Sequence, residues 1–567
     1  MIQASSEQPL QTRRRFVAYF SGIGLSSTLL PGVLWAKLQE KPTPAITLDM
    51  VKDAARLAGL DFTTEECEML VDDVNKNLTR FETMRQTHLD NSVPPPLYFN
   101  PLVAGMTVDR TKRPFRPSKS PVVSRPANLE DVAFWPLTHL AQLIRTRQVR
   151  SVDLTEMYLG RLKRFNPKLN CLVTLTDDRA MNQARQADSD IAAGRYRGPV
   201  HGIPWGAKDI IAAKGYPTTW GAEPLKDQVI NHDATVVERL DQAGAVLVAK
   251  LTTGELAFGD NWFGGRTNNP WNSEEGSSGS SAGSAAATAA GLVGFAIGTD
   301  TGGSILSPSL RCGVVSLRPT FGRVSRYGVM AAGFSLDKIG PMCRMVEDCA
   351  IVLHAIAGPD GKDLSVPHDV PFNWEAAQEV SKLRVGYFGE GFENEKREEW
   401  KANGLRSLDA LRLIGFDLRR VELPTNDLNY FIEYIERSAG FDEFARARKD
   451  EHLRRQRHRA ELRYSHLVPA VEYLQANRIR MLLMQQVAHV MSDVDVVVAT
   501  YESINPLTSM TGHPVVAVPN GFTTNGTPTG ITFVGQIYKE AELLAVARAY
   551  QNATDFHTKH PPLGSVA

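Results

Sequence analysis

The sequence predicts an α/β protein, a sheet covered by helices, with a small helical hairpin in front of it. Three observations predict this. From about residue 128 onward, apolar runs such as Ala243–Lys250, VDVVVA at 494–499 and PTGITFVG at 528–535 alternate with segments of helical periodicity, the pattern of strands covered by helices. Between residues 46 and 90, Cys67, Leu70, Val71, Val74, Leu78 and Phe81 recur at helical spacing and make one apolar face. The third observation is the stretch Gly276–Ser304, in which 21 of 29 residues are Gly, Ser or Ala. It has an Ala-rich helical core at Ser284–Ala290, a buried-strand-like run at Leu292–Ile297, and a tight loop on either side.

In chain order, residues 1–36 read as an export signal. Three arginines, Arg13–Arg15, precede the apolar run Phe16–Leu30 and then Pro31-Gly32. That run is short for a bilayer span but fits a signal core, and Thr-Arg-Arg-Arg-Phe resembles a twin-arginine signal. The expected localisation is therefore exported and periplasmic, with the export machinery as a partner. Residues 46–90 form the hairpin, whose second helix starts at Thr63 with Glu66 at capping-box spacing. Residues 91–127, rich in Pro, Arg, Lys and Ser, read as a linker without a core. The main domain occupies 128–560. In it Leu137–Arg164 is amphipathic, Val200–Ile211 carries a lysine in an apolar run, and 355–490 is helical and charged. The basic run Arg446–Arg459 reads as a solvated helix face.

Composition narrows the function classes. At 567 residues the chain accommodates one large α/β unit and an appendage, and 43% hydrophobic with 22% charged residues is ordinary for a globular protein. Lys+Arg and Asp+Glu are both 63, giving a net charge of zero. No basic footprint for nucleic acid results. The five cysteines form no CxxC pair and no metal-ligand spacing, so they read as small buried hydrophobes.

Glycines at the density seen in Gly276–Ser304 allow backbone to approach backbone or ligand. A flexible linker would not contain an apolar helix and a strand, so the stretch reads as a compact site holding Ser280 and Ser304 on two loops. GSSGSSAGSAAATAAGLVGFAIGTDTGGSI resembles the signature of the amidase signature family of serine amide hydrolases. GIPWGAKDII (Gly202–Ile211), CGVVSLRPTFGRVSRYGV (Cys312–Val329) and GHPVVAVPNGF (Gly512–Phe522) resemble further motifs of that family, in its order. The resemblance covers roughly residues 128–560 and is close to the A-type chain of tRNA-dependent amidotransferases. It implies the amidase signature fold, with a large mixed central sheet flanked by helices. Residues 46–90 resemble the small C-type chain of those amidotransferases fused in cis, although a generic helical hairpin has the same pattern.

The resemblance also implies a mechanism: hydrolysis of a small-molecule amide through a seryl acyl-enzyme, with no metal and no organic cofactor. Carried over position by position, Ser304 is the nucleophile, Ser280, on a cis peptide, is the bridging serine, and Lys208 is the base. The chemistry requires such a set. A serine hydroxyl is a weak nucleophile until a base takes its proton. A lysine of ordinary pKa, ~10.4, cannot do so at neutral pH, whereas full burial lowers a lysine pKa by up to ~3–5 units. Ile203, Trp205, Ile210 and Ile211 can supply the apolar surroundings, and Asp209, on an extended run, points away from Lys208. The backbone N–H groups of Thr301, Gly302, Gly303 and Ser304 form a candidate oxyanion hole. Asp300 reads as a structural hydrogen-bond acceptor.

Two other motifs are set aside. Ser281 is central in a G-x-S-x-G, but the NPWNSEE segment before it (Asn269–Glu275) is not strand-like; Ser335-Leu-Asp-Lys338 fits S-x-x-K, but no K-T-G accompanies it. The chain departs from the family pattern at Ser278 and Ala282, which replace loop glycines, and at Leu306, where the family has arginine; Arg311 is the nearest arginine after it. Alternative readings are the glutaminase component of a tRNA-dependent amidotransferase and a catalytically silent amidase-like envelope binding protein. Nothing in the sequence sets the oligomeric state, and a homodimer stays open.

Overall fold

The structure, a computed structural model, describes residues 46–564 except 94, 96, 120, 121 and 425–427. The twin-arginine-like segment lies outside the described residues. The chain divides into two units, one ending at His88 and the other beginning at Leu89.

The first unit contains α1 (Leu48–Leu57) and α2 (Thr64–Arg85). The expected capping box is present: Thr63 N–H donates to Glu66 Oε2 at 2.7 Å, and Glu66 N–H to Thr63 Oγ1 at 3.2 Å. Asn75 clasps the entry to α1 by donating to Ile46 O and accepting from Ile46 N–H.

In the second unit, residues 91–127 differ from the expected core-free linker. The Asn91 side chain accepts from Ala331 N–H and donates to Ala331 O and Gly440 O. The Phe99 ring meets Phe321 edge-on at 5.0 Å, with the Arg480 guanidinium above it. Arg116 exchanges backbone hydrogen bonds with Trp374 and Ala376. A few anchors, of which Asn91 is buried, thus hold a polar segment down as a strap, which its composition does not reveal.

The body is built on an eleven-stranded mixed sheet. Its strands are β1 (Leu172–Leu175), β2 (Pro204–Lys208), β3 (Val246–Leu251), β4 (Phe295–Asp300), β5 (Val315–Arg318), β6 (Lys338–Cys343), β7 (Val385–Phe388), β8 (Leu418–Val421), β9 (Val496–Ala499), β10 (Val515–Phe522) and β11 (Pro528–Gly535). They lie in the order β1-β3-β2-β4-β6-β5-β10-β11-β9-β7-β8. β2 runs parallel to β3 and β4, and β7 runs parallel to β8 and β9; the remaining pairs are antiparallel.

Core strands alternate between two apolar layers, as the period of two requires. Val496, Val498, Val516 and Val518 join one cluster with helical residues such as Leu353 and Leu544, while Val497, Ala499, Val515 and Ala517 join another with Leu306 and Met510. The strand expected at Leu292–Ile297 begins at Phe295, because Leu292 and Val293 are buried in the turn after α3 (Ala282–Ala289). β7 and β8 fall inside the stretch read as helical. β8 is an edge strand, Leu-Arg-Arg-Val with both arginines exposed, and an edge strand of that kind lacks the apolar alternation that marks a strand. The basic run at 446–459 is not one solvated helix. It spans the end of one short helix, a turn around buried Asp450 and the start of the helix Gln456–Tyr464, which carries buried His458, and the backbone N–H groups of Arg454 and Arg455 both donate to Glu255.

Candidate active site

Lys208 is the last residue of β2, which lies parallel to β4 with Ala207 opposite Ile297. The carboxyl ends of two neighbouring parallel strands therefore bring Lys208 beside Thr299. Ligand sites in open α/β sheets lie at such ends. Lys208 Nζ lies 2.7 Å from Ser280 Oγ, 2.7 Å from Thr299 Oγ1 and 3.3 Å from Thr299 O. Its side chain has no exposure, and Ile203, Trp205, Ile210 and Ile211 are buried as well, with Ile203, Trp205 and Ile211 in the core cluster that also holds Ala207. Burial lowers its pKa to about 7; Asp300 and Asp337 oppose the fall, and Arg437 adds to it. A pKa in that region makes the neutral amine accessible at neutral pH, where it can accept a proton from the neighbouring Ser280 hydroxyl. Asp209 turns away, as expected, and its carboxylate takes Lys250 Nζ at 2.7 Å and Thr219 N–H at 3.0 Å, all within the core.

Ser280 is buried in the loop before α3, and its peptide bond with Gly279 is cis. Gly279 has no space for a side chain: a Cβ there would stand 1.8 Å from Gly259 O. Ser281, the centre of the G-x-S-x-G, is structural. Its hydroxyl donates to Thr299 O and accepts from Thr299 N–H, tying the loop to β4. Ser335 of the S-x-x-K is buried against Glu436 and Arg480.

Ser304, half-buried, follows β4 by four residues, and its carbonyl accepts Ser281 N–H at 3.1 Å, joining the two serine loops. Asp300 organises this turn. Its Oδ1 accepts Gly303 N–H at 2.8 Å and its Oδ2 accepts Ile305 N–H at 2.7 Å, while Arg318 Nη1 lies 3.1 Å from Oδ1. Burial alone would raise the Asp300 pKa, but Arg318, Lys338 and these amides hold it below the usual carboxylate range. Asp300 is thus the structural acceptor the sequence suggests. Of the four candidate oxyanion donors, Gly303 N–H is committed to Asp300. The N–H groups of Thr301, Gly302 and Ser304 have no protein acceptor among the described residues.

Gly303 itself has φ +115°, and a Cβ would stand 2.2 Å from Tyr501 Oη and 2.8 Å from Asn505 Nδ2. Gly303→Val would therefore displace Tyr501 and the turn that carries Ser304 together. Its expected result is a loss of kcat/KM of at least about 10²-fold, checked by amide hydrolysis on protein whose melting curve shows a folded body.

Several site residues escaped sequence reasoning. Thr299 is a partner of Lys208, and the alternation Ile297, Thr299, Thr301 along β4 was the available signal. Arg318, a buried arginine in the apolar run Val314–Phe321, also bonds to Asn505, Thr508 and Ser509 on the helix Tyr501–Thr511. Tyr501 and Asn505 had no local signal. Leu306, in place of the family's arginine, is buried in the core, and Arg311 pairs with Glu275 instead of filling its position. No group of His, Cys, Asp and Glu suited to a metal ion occurs among the described residues, and all five cysteines are buried and free.

The Amidase family model matches residues 153–509. The A-type chain of the glutamyl-tRNA(Gln) amidotransferase of Methylococcus capsulatus is 36% identical over 484 residues, covering 75% of this chain and 98% of that one. Its counterpart from a Roseiflexus species is 36% identical over 479 residues, with the same coverage. Among solved structures, the native peptide amidase of Stenotrophomonas maltophilia superposes with a TM-score of 0.68 at 28% identity, over 77% of this chain and 99% of that one. With a sheet, a motif order and a full-length likeness all of one kind, the chain belongs to the amidase family, whose members act on the carbon–nitrogen bonds of amides.

Proposed function

We propose that this protein hydrolyses a carboxamide to a carboxylate and ammonia or an amine, through an acyl-enzyme on Ser304. The observation that carries the reading is a fully buried Lys208 whose Nζ lies 2.7 Å from Ser280 Oγ. In its neutral form Lys208 takes the Ser280 proton, and Ser280 takes that of Ser304, whose oxygen attacks the amide carbon. The oxyanion is received by the N–H groups of Thr301, Gly302 and Ser304. As the carbon–nitrogen bond breaks, the proton held on Lys208 returns through Ser280 to the departing nitrogen. Water then repeats the sequence on the ester, releasing the carboxylate and Ser304. Such preorganised donors and positioned bases are the main levers of acyl transfer.

The test is an ammonia- and amine-release screen over primary and secondary carboxamides that includes free glutamine. Turnover of at least one amide supports the reading, and no turnover of any, with no covalent labelling, contradicts it. The likeness to A-type amidotransferase chains over nearly their whole length favours a second reading, the glutaminase component of such an assembly. That reading requires glutamine to be the preferred substrate, a tRNA-dependent partner to raise its turnover, or both.

Export rests on Thr12–Phe16. Replacing Arg13 and Arg14 by lysine is expected to retain the protein in the cytoplasm when cell fractions are probed for it. Unchanged export would refute the twin-arginine reading.

A further inference from the structure

The two loops that carry Ser280 and Ser304 are joined twice. One join is the backbone bond from Ser281 N–H to Ser304 O. The other is between side chains: Ser278 Oγ lies 2.7 Å from Ser307 Oγ. The two joins bracket the serine pair, one within it and one beyond it, two residues before Ser280 and three after Ser304. Ser278 stands where the amidase signature usually has glycine and keeps the left-handed conformation that glycine favours, with φ 61°. Its N–H donates to Asp260 Oδ2 at 3.0 Å, which anchors its backbone.

Tyr501 continues the line. Its hydroxyl packs on Gly303, where an added Cβ would stand 2.2 Å from it. Ser278, Ser307 and Tyr501 all line one cavity of about 360 Å³. This hydroxyl line runs alongside the nucleophile's turn and outside the Lys208–Ser280 pair.

We infer that Ser278 is a positioning residue, which, through Ser307 and Tyr501, holds the turn carrying Ser304 at a fixed distance from the loop carrying Ser280. The inference rests on the proposed roles of those two serines. Small misplacement of reacting groups is costly: a shift of about 1 Å can lose on the order of 10²-fold in rate. A hydroxyl tie between otherwise Gly-rich loops therefore has a direct effect on turnover.

The test uses the full-length protein, an amide found active in the screen, and a fluorophosphonate probe. Ser278→Gly suits the backbone at φ 61° and removes only the tie. It is expected to lower kcat and the labelling rate of Ser304 about tenfold, with KM and the melting temperature unchanged. Ser278→Asn, which tolerates this left-handed backbone and keeps a hydrogen-bonding side chain, is expected to retain more of the rate than Ser278→Gly. Tyr501→Phe is expected to act in the same direction, and the double variant Ser278→Gly/Tyr501→Phe to be little worse than either single one, because both cut one line.

Full labelling and turnover by Ser278→Gly would overturn the inference, as would losses that multiply in the double variant. A fall in melting temperature that accounts for the loss of activity would also overturn it, by making Ser278 merely structural. Failure of the unmodified protein to label or turn over would instead strike at the proposed function.

Discussion

Ser304→Ala is expected to lose amide hydrolysis by about 10⁶-fold in kcat, the scale seen when a nucleophile that works as a unit with its base is removed. It is also expected to lose covalent labelling by a fluorophosphonate. The reason is local. Ser304 is half-buried at the end of the turn that Asp300 organises, and the N–H groups of Thr301, Gly302 and Ser304 in that turn have no protein acceptor among the described residues. Alanine removes a single oxygen and leaves those bonds intact, so the fold and its melting temperature are expected to be unchanged. Mass spectrometry of intact, probe-treated protein checks the labelling, and a melting curve checks the fold. A persistent adduct on Ser304→Ala would move the nucleophile to another residue, with Ser280 and Ser281 the nearest alternatives.

The second large effect falls on Lys208. Lys208→Ala is expected to lower kcat on the order of 10³–10⁴-fold, the upper range of a positioned general base. Lys208→Arg separates charge from basicity. A guanidinium can still donate toward Ser280 and Thr299, but it is not deprotonated in proteins, so it too is expected to be inactive. A missing hydrogen bond alone would leave Lys208→Arg partly active. In the proposed mechanism nucleophile and base act as one unit, so Lys208→Ala/Ser304→Ala is expected to be no slower than Ser304→Ala, measured as residual turnover of the same amide.

Much of the site was legible in the sequence because its chemistry is local. Ser280 and Ser304 fall within one Gly-, Ser- and Ala-rich stretch, and Lys208 within one apolar run. Two parallel strands are sufficient to bring these segments together. What could not be read was carried by long-range contacts. Tyr501 and Asn505 reach Gly303 and Gly302 from a helix far along the chain, with no motif around them. The commitment of Gly303 N–H to Asp300 depends on the turn's geometry, so composition admitted all four amides as oxyanion donors. The fold followed the same division. β9, β10 and β11, buried on both faces, announced themselves as apolar runs, whereas edge strand β8 carries exposed arginines and its sequence looks helical. The strap at 91–127 was hidden for a related reason: a few anchors such as Asn91 and Phe99 are too sparse to create a pattern.

The central claim is that Lys208 acts as an uncharged amine. Its most direct test is the pH dependence of Ser304 acylation by a fluorophosphonate in the unmodified protein. The site needs one deprotonated group of pKa about 7. The acylation rate is therefore expected to be level at higher pH and to fall about tenfold for each pH unit below that value. A rate that stays constant from about pH 5 to about pH 9, a range spanning both protonation states of such a group, would contradict the account.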